Sequence, residues 1–266
     1  MELNNTPVRT SRNFNINNIK IDVKIPEDIK KFKNMQIPED ATVLKEDLSL
    51  KYGIGLDYIK ANNKIKINLE NKEEQIIYNF DQENQNLTDQ ILINAKGKSS
   101  ITNYYSDLQG ENAQNDVKTV YLGVDEQLKD INYIAELYGA KTNINIDVQG
   151  ALSDKAKKHF KGTIDFKKGC KKAKGDENEY CMLLSDKAKA IALPMLLCAE
   201  EDVEGNHSTA SGKVDSKVLF YIMSRGLSYK EAVKLLVKSR FIKIIEQISD
   251  QNLKNEIISK IDEKLN

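Results

Sequence analysis

From about Lys64 to Leu184 apolar residues recur at every second position. They are Ile65, Ile67 and Leu69, the runs 76–80 and 91–93, the stretch 117–124, Ile144 with Ile146 and Val148, Ile164 with Phe166, and the run 182–184. Side chains alternate across a strand, so this spacing buries one face of short strands and does not build the stripe of a helix. Gly, Asn, Asp and Lys fill the intervals as turns, which predicts an all-β region. The pentapeptide Ser-Asp-Lys-Ala-Lys stands at 153–157 and again at 185–189, an echo of the kind that repeating coils leave. Alternation and one echo leave two architectures open, a sandwich and a parallel β-helix.

Beyond Gly226 the period becomes helical. Ser228-Tyr229-Lys230-Glu231 is a capping box, in which the Ser and Glu side chains satisfy each other's exposed amides at a helix start. Val233, Leu236, Val237, Phe241, Ile244, Ile245 and Ile248 then form a broad apolar stripe, and Leu253, Ile257, Ile261 and Leu265 repeat at spacing four. Both helices are amphipathic, so each must pack on something. At the other end, residues 1–50 are polar and contain Pro7, Pro26 and Pro38, with Ile-Pro-Glu-Asp at 25–28 and at 37–40. Pro and acids suit first helical turns. The expected organisation is therefore an irregular arm with short helical turns (1–50), a β core (51–214) and a C-terminal helical subdomain (215–266).

The two periods meet between Asp202 and Gly226. Gly205 and Gly212 permit a tight turn around His207, Asp215 or Ser216 is placed to cap a helix, and Gly226 stands where a left-handed terminator belongs. Leu219, Phe220, Tyr221, Ile222 and Met223 are too apolar for a helix that stays in water. Most of that stripe is expected to dock on the chain's own β core, the rest on a partner.

The pattern His207-x-Thr209-Ala210-x-Gly212-x-Val214-Asp215, then Leu219-Phe220-Tyr221, Ser224-Arg225-Gly226-Leu227 and Glu231-Ala232, resembles the C-terminal signature of the SufB/SufD family of iron-sulfur cluster assembly proteins. The likeness covers roughly 152–241, where 160–166, 182–188 and 193–196 look like successive coils of the family, and it is faint upstream of Leu152. The resemblance implies a mainly β fold, a right-handed parallel β-helix with helical terminal parts. It also implies a non-catalytic subunit of a SUF-type complex in the cytoplasm. Such a subunit binds a SufC-like ABC ATPase, pairs through its β-helix with itself or a SufB-like partner as a dimer, and scaffolds a transient iron-sulfur cluster at the subunit interface without holding one stably. The competing reading is a β-helix binding module with no metal role.

Site residues follow from both lines. An imidazole at His207 is able to ligate iron or zinc, and equally to hydrogen-bond nearby backbone; the matching family histidine lies at the subunit interface. SufB has a glutamate after it, where this chain has Ser208, closer to SufD. SufB also has a cysteine shortly before its Met-Leu turn. Glu179 occupies that position here, and Cys181, two residues on, is on the same face of a strand. By resemblance, Leu219, Phe220, Tyr221, Met223, Ser224, Arg225 and Gly226 contact the ATPase. Cys170, among four lysines, is a candidate reactive thiol if exposed. Cys198 reads as a small core residue, and His159 as a solvated turn residue.

Composition narrows the partners. Forty basic residues balance forty acidic ones, so no net field favours nucleic acid or an anionic membrane. The longest apolar run, 191–199, is too short to span a bilayer. Three cysteines without short-spaced pairs fit a reducing cytosol. A Walker loop, a Gly-x-Ser-x-Gly elbow, a His-Glu-x-x-His helix and a dinucleotide fingerprint are all absent from the sequence, which argues against ATP hydrolysis and against the corresponding enzyme classes.

Overall fold

The computed structural model describes residues 2–3, 5–9, 15–20, 55–60, 75–77, 89–94, 99–247 and 251–266. The Ile-Pro-Glu-Asp repeats of the arm, Ile65, Ile67, Leu69 and Ile248 lie outside the described residues. What is described of the arm is a short antiparallel pair, β1 (Glu2–Leu3) with β2 (Ile19–Lys20).

The β region is a parallel coil. One sheet contains β3 (Gly55–Lys60), β6 (Ser99–Leu108), β8 (Leu128–Leu137), β10 (Lys157–Phe166) and β12 (Lys189–Cys198). The other contains β4 (Gln75–Ile77), β5 (Asp89–Asn94), β7 (Gln114–Gly123), β9 (Asn143–Leu152), β11 (Ala173–Leu183) and β13 (Val203–Lys213). From β5 onward the chain alternates between the sheets, each strand pairing in parallel with the strand two before it; the β4–β5 pair is antiparallel. Registers pair Ser99 with Leu128, Leu128 with Lys157, and Lys157 with Lys189, a repeat of 29 to 32 residues. This is a parallel β-helix, and it resolves the choice left open by the alternation.

The sequence echo marks one corner of that coil. The Ala156 amide donates to the Ser153 carbonyl at 3.0 Å, and Ala188 to Ser185 at 3.3 Å one coil later. Inward positions stack into a continuous core that includes Val117, Ile131, Tyr133, Ile144, Ile146, Val148, Phe160, Ile164 and Phe166. Burial on that scale, at roughly 25 cal/mol per Å² of apolar surface, supplies the main driving force for the coil.

Three helices follow: α1 (Ser216–Met223), α2 (Tyr229–Ile245) and α3 (Gln251–Lys264). The capping box at Ser228 and Glu231 is formed, Asp215 caps α1, and Gly226 closes it with φ +99°. Val237, Phe241 and Ile244 of α2, with Ile257 and Ile261 of α3, cover Val120, Leu122, Ala151 and Met182 on the outer face of the six-stranded sheet. Among the described residues no helix is long and apolar enough to cross a membrane.

Candidate functional site

Strand β11 alternates, and its inward positions are Glu177, Glu179 and Cys181. The two carboxylates are 1% and 2% exposed, and Cys181 is fully buried. From the facing sheet, Lys158 Nζ reaches Glu179 Oε1 at 2.8 Å, and the Tyr121 hydroxyl donates to the same oxygen at 3.0 Å. The other Glu179 oxygen and both oxygens of Glu177 are buried without a hydrogen-bond partner. Gly162 stands directly across from Glu177, where a Cβ would lie 1.9 Å from Glu177 Oε2.

Such an interior penalises charge. Burial, reinforced by the neighbouring Glu179, pushes the Glu177 carboxyl up to about 8. Burial pushes the Cys181 thiol up to about 11, although Lys158 and a hydrogen bond with Tyr121 pull the other way. The Tyr121 phenol is likewise raised by burial, then by Cys181 and Glu179.

His207 is not on a turn. Residues 203–213 form strand β13, in register with β11 from Val203 opposite Ala173 to Lys213 opposite Leu183. Gly, Asn and Ser suggest a turn locally, but a complete ladder to β11 overrides that preference. His207 is the register partner of Glu177, and Glu179 and Cys181 pair with Thr209 and Ser211. Its side chain is exposed, because β13 is the last strand of its sheet. The structure thus puts Glu179 and Cys181 on one face and His207 in the adjoining column. Among the described residues no group of three or more His, Cys, Asp and Glu is arranged to hold a metal ion.

Three expectations are corrected. Cys170 is fully buried, and burial followed by Glu200 raises its thiol; the lysines around it in sequence point elsewhere, so it is not a lysine-activated surface thiol. Cys198 is exposed rather than in the core: it follows Phe166 in register, but it sits on the terminal strand of its sheet, with no further coil over it. His159 is on β10, half-buried, with Nδ1 3.4 Å from Asp130, which also pairs with Lys161 at 2.6 Å.

The helical junction also departs from expectation. Of α1, only Leu219 is buried, so most of the stripe does not dock on the β core. Phe220 and Tyr221 are 75% and 59% exposed, with Val218 and Met223 beside them. The Arg225 guanidinium lies 5.2 Å from the Tyr221 ring centre, and Ser224 Oγ donates to the Tyr221 carbonyl at 2.7 Å. Tyr229 and Leu235 extend the exposed apolar surface.

Sequence reasoning missed Glu177, Lys158 and Tyr121. The signal was present in the alternation Glu177-x-Glu179-x-Cys181, whose polar neighbours made the segment look like a turn.

A parallel β-helix with an acid-lined interior and a helical cap that leaves an apolar face uncovered is an assembly architecture, built to be joined by other chains. Residues 58–240 match the family described as SUF system FeS cluster assembly, SufBD core domain, and the chain belongs to the SufB/SufD family. The match begins well before Leu152, so the likeness reaches further upstream than the motifs suggested. The chain is 29% identical over 166 residues to the iron-sulfur cluster assembly protein SufD of Bacillus subtilis, covering 62% of this chain and 38% of that protein. SufD of Escherichia coli is 23% identical over 163 residues, covering 61% and 38%. A SufBD family protein of Pyrococcus horikoshii is 34% identical over 145 residues, covering 53% and 31%. The chain spans less than two fifths of the length of these relatives, and among them it is SufD-like.

Proposed function

We propose that the chain is a non-catalytic, cytoplasmic, SufD-like subunit of a SUF-type assembly complex, with the iron-sulfur cluster as its cargo. In this reading α1 binds a SufC-like ABC ATPase through Leu219, Phe220, Tyr221, Met223, Ser224, Arg225 and Gly226. The terminal strands β12 and β13 pair with a second copy or with a SufB-like subunit. His207, exposed on β13, faces that junction as a cluster contact, while Glu179 and Cys181 lie one coil deeper.

The observation that supports this most directly is the exposed apolar face of α1. A helix of eight residues that buries only Leu219 gains little from its own fold, and large aromatic side chains left in water mark interaction surfaces. The test is co-purification of the full chain with a SufC-type ATPase. Phe220→Ser with Arg225→Glu should abolish capture, and undiminished capture would remove α1 from the reading.

One observation favours the alternative, a binding module without a metal role: no metal-holding group is formed among the described residues. Anaerobic reconstitution with iron and sulfide, read by absorbance, separates the two. Absence of a cluster signal both for the chain alone and for the chain with a SufB-like partner would favour the module.

A further inference from the structure

We infer that Arg240 and Tyr180 link the helical cap to the acid-lined face of β11, so that a partner seated on α1 changes the setting of Glu179 and Cys181. The inference rests on the reading of α1 as an ATPase-docking surface.

The Arg240 guanidinium of α2 lies 4.1 Å from the centre of the Tyr180 ring. Tyr180 also packs against the apolar cluster that joins the helices to the sheet, and Met182, two residues on, is buried within it. Neighbouring residues of a strand face opposite sides. Tyr180 and Met182 are therefore gripped from outside by the helices, while Glu179 and Cys181, interleaved with them, face the interior. A strand backbone has little slack between adjacent residues, so displacement of Tyr180 displaces Glu179.

The inner side is held less firmly. Glu179 is anchored through Oε1 alone, to Lys158 and Tyr121, while its other oxygen and both of Glu177 have no hydrogen-bond partner. On the outer side, the apolar contacts of α2 with Val120 and Ala151 are non-directional and allow sliding. The Arg240–Tyr180 contact is directional, because the cation is drawn to the ring face. Leu219 anchors α1, and residues 224–228 join α1 to α2 through the left-handed Gly226. Load applied at Phe220 and Tyr221 thus passes along α2 to one aromatic ring on β11.

The experiment is hydrogen–deuterium exchange of the full chain, read on peptides covering β11, alone and with a SufC-type ABC ATPase plus ATP. The chains compared are wild type, Arg240→Ala, Tyr180→Leu and Tyr180→Phe. In the wild type and in Tyr180→Phe, which keeps the ring, the ATPase with ATP should change β11 exchange by about fivefold or more, the lower range of allosteric couplings. In Arg240→Ala and Tyr180→Leu that difference should vanish while ATPase binding persists. A pair that merely stabilises the fold would instead raise exchange equally with and without the ATPase, and that result overturns the linkage. So does an undiminished ATPase-dependent change in Arg240→Ala. If the wild type fails to bind the ATPase at all, the docking reading falls first and the linkage falls with it.

Discussion

Glu177 is a carboxylic acid that the fold keeps neutral. Its carboxyl sits near 8, whereas an unfolded chain titrates a glutamate at about 4.3. Between those two values the folded protein holds a proton that the unfolded chain has released, so stability must fall as pH rises through this window and level off above it. The contribution is on the order of a few kcal/mol across the window. Urea midpoints measured from pH 5 to pH 8 should decline for the wild type and decline much less for Glu177→Gln, which keeps the shape and loses the charge. Equal slopes for both proteins would show that Glu177 is not the titrating group. The cysteines offer a second check at this scale. Cys198 is exposed while Cys170 and Cys181 are buried, so iodoacetamide should label Cys198 alone in the native protein and all three after urea. Early labelling of Cys181 would contradict the closed interior.

Strand β9 shows how a glycine can be imposed by a neighbouring strand. A Cβ at Gly150 would lie 1.8 Å from Cζ of Tyr121, whose hydroxyl is already committed to Glu179. Gly150→Ala should therefore destabilise by about 1–3 kcal/mol, the usual cost of overpacking, and much of the loss should disappear in a Tyr121→Leu background. Thermal melts of the four chains form the double-mutant cycle, and strict additivity would mean that the ring is not the obstacle. This constraint could not be seen in the sequence, because it depends on which residues the coil register stacks. Alternation alone located β7, β9 and β10, and the capping box located α2, since those signals are local. Strand β8 went unnoticed because Lys129, Asp130 and Asn132 are buried polar residues that break the apolar pattern. Strand β13 was read as a turn, its partner being thirty residues away in register. Pro194 fits its strand only because β12 lies at the edge of its sheet.

At the scale of the molecule, both uncovered surfaces lie at the C-terminal end of the coil. β12 and β13 end their sheets, and the inward-facing Ala190, Ala192 and Leu196 of β12 are only partly buried against the core. An edge strand presents unpaired amides and carbonyls, which in a stable protein are either shielded or paired with another chain. Here the exposed face of β13 is polar, with Asn206, His207 and Ser208 in water, which suits a recognised partner better than indiscriminate pairing. If the open coil is the pairing surface, a charge placed on its half-buried floor must be desolvated on association, at a cost of a few kcal/mol. Ala192→Asp should then weaken pairing with a second copy or with a SufB-like subunit by about tenfold or more, since about 1.4 kcal/mol corresponds to a factor of ten. The same substitution should leave capture of the ATPase by α1 unchanged, because α1 lies on the helical side. Sedimentation velocity over a concentration series measures the first effect and co-purification the second. Loss of both together would mean that the two surfaces are not separate, and pairing that survives Ala192→Asp would place the interface away from the open coil.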